Sequence, residues 1–258
     1  MKIYLKLRKA ELINIYIYYI MTYPNISICM PIADRNNFKK LIVSNILKLD
    51  YDKDKLEFVI LDDGQDKFIS DNTELNVLKN ILYPIKVVYK YDNVKKEIGH
   101  KRNILTKMAS YNIIACMDSD DFYLSNYLKH SIDVMNKGNY NIVSSPQMLF
   151  LYPEDDWLMT GIECGAKRQG HEATMVYKFK HWKAMGGFNK KGNGEGVKMI
   201  DGMKDDNIGK TEIKDCMICI CHGKNTVCKN RFKTSNKIPI QLPDNEKNII
   251  MNCINLGV

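Results

Sequence analysis

Apolar residues come in short bursts whose spacing alternates between continuous and helical. Residues 26–30 (ISICM) form a compact apolar run that ends at Pro31. Residues 36–49 then set Phe38, Leu41, Ile42 and Leu49 at helical spacing. The run over 56–61 (LEFVIL) is nearly continuous, the pattern of a central parallel strand buried on both faces, and Asp62-Asp63-Gly64 ends it with a turn signal. A strand over 85–89, a helix over 99–110 and a third buried strand over 112–117 (NIIACM) extend the rhythm. Further on, a helix starts near Leu124 and residues 213–220 read as a strand. This β-α-β-α-β order predicts an α/β fold: a mostly parallel, doubly wound, Rossmann-like sheet with right-handed crossovers and helices on both faces.

Ligands of such sheets bind beyond the carboxyl ends of the strands. Three polar clusters fall there: Asp34-Arg35, Asp62-Asp63 and Asp118-Ser119-Asp120-Asp121. The last packs three carboxylates into four residues, which repel unless cations or donors neutralise them. Hard oxygen ligands suit Mg²⁺ or Mn²⁺, and Mg²⁺ is commonly held by one or two carboxylates plus substrate phosphates. An acidic turn capping the helix near Leu124 is the plainer use of the same residues.

Composition narrows the field. With 258 residues, 45% of them hydrophobic and 26% charged, the chain is long enough for one large domain or two small ones, and wholesale disorder is excluded. A formal charge of +8 favours anionic partners. The apolar run over 12–21 (LINIYIYYIM) is about half the ~20 residues a membrane helix needs and is followed by a poor cleavage site, so it reads as an added helix or tail, or a poorly ordered extension. No transmembrane segment and no convincing signal peptide are read, which implies a cytoplasmic protein or one peripheral to a membrane. Cys216, Cys219, Cys221, His222 and Cys228 raise a structural zinc site as an alternative. A strand over 213–220 would turn Cys216 and Cys219 to opposite faces, which argues for ordinary buried thiols.

The order Pro31-Ile32-Ala33-Asp34-Arg35, Asp62-Asp63-Gly64, Gly99-His100-Lys101-Arg102-Asn103, Asp118-Ser119-Asp120-Asp121 and Met185-Gly186-Gly187-Phe188-Asn189 resembles family 2 glycosyltransferases of the GT-A fold. The resemblance runs from about residue 25 to about residue 231. It implies a GT-A domain over 25–235 with a small antiparallel acceptor-side portion, an extension over 1–24 and a tail over 236–258. It further implies metal-assisted, inverting transfer of a sugar, by default a hexose from a UDP-sugar, to a hydroxyl of a glycan, protein or lipid. Pro31, Ala33, Asp34, Arg35, Asp63, Arg102, Asp118, Ser119 and Lys224 would hold the nucleotide sugar. Asp120, Asp118 and His222, in a D-x-D arrangement with a late histidine, would hold Mn²⁺ or Mg²⁺. Glu195 would be the base, with Asp201 in reserve. The chain departs from the family at this point, reading Glu195-Gly196 where the family usually has Glu-Asp.

These roles are chemically coherent. A nucleoside diphosphate leaves only when its developing charge is neutralised, and a hydroxyl attacks only as a base takes its proton. Three rivals remain. A sugar nucleotidyltransferase would carry a glycine-rich N-terminal loop, and Pro31-Ile32-Ala33-Asp34-Arg35 has no glycine. A nucleic-acid-binding module would need exposed basic residues interleaved with aromatics, and acidic strand ends would repel a phosphate backbone, so no nucleic acid is expected. An inactive transferase-like scaffold is the third.

Overall fold

The computed structural model describes residues 23–163, 170–192, 194–223, 225, 229–235, 242 and 244–253. The apolar run over 12–21, Lys224 and Cys228 lie outside them. Eleven strands are described: β1 (Ile26–Ile32), β2 (Leu56–Asp62), β3 (Lys86–Tyr91), β4 (Ile113–Cys116), β5 (Phe122–Tyr123), β6 (Ile142–Ser144), β7 (Gln147–Tyr152), β8 (Leu158–Glu163), β9 (Val176–Lys178), β10 (Gly209–Lys210) and β11 (Met217–Ile220). The helices are α1 (Lys39–Lys48), α2 (Asn72–Leu82), α3 (Ile98–Met108), α4 (Tyr127–Lys137), α5 (Phe179–Met185), α6 (Val197–Ile200) and α7 (Asp244–Cys253).

The central sheet runs β10-β6-β9-β4-β1-β2-β3. It is parallel except at β9, which lies antiparallel between β4 and β6. A smaller sheet, β5-β11-β7-β8, mixes both directions. Alternation along β1 explains the layering. Ile26, Ile28, Met30 and Ile32 pack on one side with Phe38, Leu41 and Ile42 of the α1 segment. Cys29 points to the other side, among Val59, Leu61 and Leu105. Both faces are therefore dry, as the unbroken apolar runs require.

Register decides where the polar clusters go. Ile32 stands opposite Asp62, and Cys29 opposite Cys116, so β1, β2 and β4 end close together. Met117 N–H then bonds Cys29 C=O at 3.1 Å, carrying Asp118 to the same edge.

Several expectations shift. A 3₁₀ turn at Asn36–Phe38 precedes α1. The helix expected near Leu124 starts at Tyr127, because Phe122 and Tyr123 pair with β11 first. The strand expected over 213–220 is shorter: Ile213–Asp215 is a 3₁₀ turn, and Cys216 precedes β11. The stretch read as a tail contains α7, whose Ile250 is fully buried. Among the described residues, no helix is long and apolar enough to cross a membrane.

Candidate active site

A cleft of about 500 Å³ opens at this edge, walled by the turns after β1 and β4, the start of α3 and the loop before α6. Asp62 and Asp63 divide the work at the end of β2. Asp62 faces inward and accepts from Gly64 N–H at 3.0 Å, Phe68 N–H at 2.7 Å and the Tyr89 hydroxyl at 2.9 Å. It holds the turn. Asp63 is also buried, with Oδ1 accepting from Lys101 Nζ at 2.7 Å and Oδ2 from Lys96 N–H at 2.8 Å. Lys96 and Lys101 line the cleft, with Asp63 directly behind them. Asp34 adopts φ 54°, which aspartate tolerates better than most residues, and its Oδ1 accepts from Asp66 N–H at 3.0 Å. Gly64 allows this approach, since a Cβ there would lie 2.5 Å from Asp34 N.

The acidic turn is pinned from two sides. Asn45 of α1 donates to Asp121 C=O at 2.8 Å and accepts from Tyr123 N–H at 3.1 Å. The Tyr123 hydroxyl accepts from Asp118 N–H at 2.7 Å and donates to Ala173 C=O at 3.0 Å. Asp121 turns inward, accepting from Ile220 N–H at 3.1 Å, and burial with the neighbouring carboxylates pushes its carboxyl well above the usual range. Asp118 and Asp120 line the cleft with Ser119. Asp120 Oδ2 accepts from Arg35 Nε at 3.1 Å and lies 3.4 Å from His222 Nε2. Burial pushes the Asp120 carboxyl up, but the His222 ring and the Arg35 guanidinium outweigh it and hold it below its ordinary value.

Arg102 links this turn to the far wall. Buried on α3, it donates from Nη2 to Asp118 Oδ1 at 2.8 Å and from Nε to Glu195 Oε1 at 3.0 Å. Its Nη1 is buried without a hydrogen-bond partner among the described residues. Glu195 lines the cleft, though its carboxyl is buried; burial raises its pKa and Arg102 draws it back. Asp201 is exposed at the end of α6 and does not line the cleft. Pro31, Ala33, Asp34 and Arg35 do line it.

Sequence reasoning missed three groups. His171, expected to be a surface or packing residue, lines the cleft; its Nδ1 is buried without a partner among the described residues, and burial lowers its pKa to about 4. Glu172 lines the same wall and accepts from Gly196 N–H at 3.2 Å. Lys101 stood inside a recognised motif, but nothing in its spacing revealed the bond to Asp63.

A divalent metal fits this donor set. Asp118 and Asp120 offer hard oxygens at one wall of the cleft, and the His222 imidazole stands beside Asp120. Among the described residues no group of three or more His, Cys, Asp or Glu side chains is placed to hold a metal ion by itself. Among the described residues the thiols offer no such set. Cys219 Sγ faces Asp121, and burial is the leading cause that pushes Cys216 and Cys221 up to about 12.

Comparison with known proteins agrees with this geometry. The profile of glycosyl transferase family 2 matches residues 27–190. An Escherichia coli protein, UDP-Glc:alpha-D-GlcNAc-diphosphoundecaprenol beta-1,3-glucosyltransferase WfgD, is 30% identical over 138 residues, covering 50% of this chain and 51% of its own. A mannosyltransferase from Pyrobaculum calidifontis, solved with GDP-Man and Mn²⁺, superposes with a TM-score of 0.60 at 16% identity, covering 83% of this chain and 60% of that one. S. aureus TarS, solved with UDP-GlcNAc, gives 0.58 at 13% identity over 89% of this chain and 65% of that one. The chain thus spans about half the length of the curated relative it matches. The solved structures share the GT-A fold with it.

Proposed function

The chain belongs to glycosyl transferase family 2, and we propose that it transfers a hexosyl group from a UDP-sugar to a hydroxyl acceptor with inversion. The observation that carries this reading is the convergence, at one strand edge, of Asp118 and Asp120 with the cations Arg35 and Arg102 around an open cleft. Such a wall suits a diphosphate: carboxylates hold the counter-ion and guanidiniums balance the charge that remains. Asp63, buried behind Lys96 and Lys101, is proposed to accept in addition from the ring N–H of a pyrimidine, with Asp34, which lines the cleft, toward the ribose. Ser119 and the backbone of Pro31 and Ala33 line the nucleotide's path.

Mn²⁺ or Mg²⁺, held by Asp118 and Asp120 with His222 beside them, would neutralise the leaving diphosphate when bound. Arg102 aims Asp118, and His222 with Arg35 holds the Asp120 carboxyl below its ordinary value against the pull of burial. Lys224, which follows the described Gly223, is proposed as a point charge for the departing phosphate. WfgD, the relative by sequence, is named for a UDP-Glc donor, which supports a UDP-sugar. Calorimetry with UDP, GDP and ADP, with and without Mn²⁺, tests the reading. UDP should bind most tightly and only with metal, and Asp120→Ala should remove the metal effect without unfolding the chain. Equal binding of all three nucleotides, indifferent to Mn²⁺, would sink it.

A further inference from the structure

We propose that Glu172, in the 3₁₀ turn before β9, is the base that takes the acceptor's proton; the proposal rests on the transferase reading above. The starting observation is Gly196. Its backbone sits at φ −75° and ψ −16°, a conformation open to any residue, so no backbone demand explains a glycine there. The explanation lies across the cleft wall. A Cβ at 196 would overlap Glu172 Cγ and reach to 2.8 Å of Met175 Cε. Position 196 is bare because the Glu172 side chain fills the space above it, and Gly196 N–H fixes Glu172 Oε1 at 3.2 Å.

The other cleft carboxylates are committed or misplaced. Asp118 and Glu195 share Arg102, Asp120 pairs with Arg35 and His222, and Asp121 is turned into the protein. Glu97 is exposed at the rim, and Asp201 does not line the cleft. Glu172 is half-buried, lines the cleft, and among the described residues has no cation within 4 Å. A base needs that combination: access to substrate, and a lone pair that no guanidinium occupies. Its turn is also held in register with the acidic turn, since the Tyr123 hydroxyl bridges Asp118 N–H and Ala173 C=O.

In the proposed step the acceptor oxygen's lone pair forms the bond to the anomeric carbon as its proton passes to Glu172 Oε2. The bond from that carbon to the phosphate oxygen breaks, and its electron pair leaves with the diphosphate. Water can stand in for the acceptor, so the release of UDP from UDP-glucose in Mn²⁺ is the assay.

Glu172→Gln keeps an oxygen for Gly196 N–H and loses the base. It should lower turnover by ~10²-fold while UDP affinity stays within about twofold. Glu172→Ala with Gly196→Asp clears the overlap and offers a carboxylate from the opposite side; it should recover part of the loss, which a merely structural role would not allow. Turnover of Glu172→Gln within a few-fold of wild type overturns the assignment, most directly if Glu195→Gln is the dead variant. Should Glu172→Gln misfold, a folded double variant with no turnover also overturns it. A wild-type chain that binds neither UDP nor GDP fails the transferase reading instead.

Discussion

Asp62 shows how one residue sets the shape of the base-side wall. Its carboxylate accepts from two loop N–H groups and one phenol, all from segments that have no other reason to converge. Asp62→Ala leaves three donors facing a void, and the loss of buried hydrogen bonds of this kind costs about 1–3 kcal/mol each before relaxation. We expect a net loss of about 3 kcal/mol in urea unfolding, with weakened UDP binding because the Asp63 turn is no longer held. Asp63→Asn strips the buried Lys101 ammonium of its carboxylate, so it should cost about 3–5 kcal/mol in the same assay and, on the proposed reading, also weaken the preference for a pyrimidine. Adjacent identical side chains thus separate in their partners, Asp62 holding the loop and Asp63 holding Lys96 and Lys101 at the cleft, a split that turn chemistry alone does not disclose.

At the scale of elements, much of the frame was legible before the structure. The largely apolar runs over 26–30, 56–61 and 112–117 became β1, β2 and β4, because a strand buried on both faces admits few polar positions, and the buried pair here, Ser27 and Glu57, bond each other at 2.6 Å. The polar clusters at their ends mark the cleft for the same reason: polarity returns where burial stops. Less was legible where chemistry depends on partners far along the chain. Glu172 reaches Gly196, and Lys101 reaches Asp63, through contacts no local period encodes. The helix α2 was missed although Asp71 and Glu74 carry the spacing of an N-cap pair, with Asp71 accepting from Glu74 N–H at 2.9 Å. Glu74 also ties α2 to α1 by accepting from Lys39 at 2.5 Å, and that bond, followed by those from Ser70, lowers its pKa from 4.5 to about 2. A depressed folded-state value contributes stability that is present above the unfolded pKa and lost as pH falls through the folded one. Glu74→Gln should therefore lower the melting temperature above pH 4.5 and converge with wild type near pH 2. The side chains are one-third exposed, so the difference should shrink in high salt.

Across the whole molecule, Arg102 joins parts that the chain supplies at widely separate points. It stands on α3, packed against the sheet, and its guanidinium holds Asp118 after β4 and Glu195 in the loop before α6. Those carboxylates come from two separate segments of the cleft lining, so one cation fixes both. Arg102→Met removes the charge and keeps the bulk, leaving Glu195 buried without a partner. Breaking one side of a buried pair costs about 3–5 kcal/mol. The pH dependence identifies the cause. Burial is the leading influence on Glu195 and pushes its carboxyl up, while Arg102 pulls it down. Without Arg102 the folded-state value rises further, and a group with a raised folded pKa gives stability that is full at low pH and lost as pH rises through that value. The deficit of Arg102→Met in urea unfolding should thus be larger at pH 8 than at pH 5, where the carboxyl regains its proton. Adding Glu195→Gln should recover part of the pH 8 deficit, because the stranded charge is gone. Equal deficits at both pH values, unchanged by the second substitution, would mean that Arg102 acts through packing alone and that the two segments are not joined by charge.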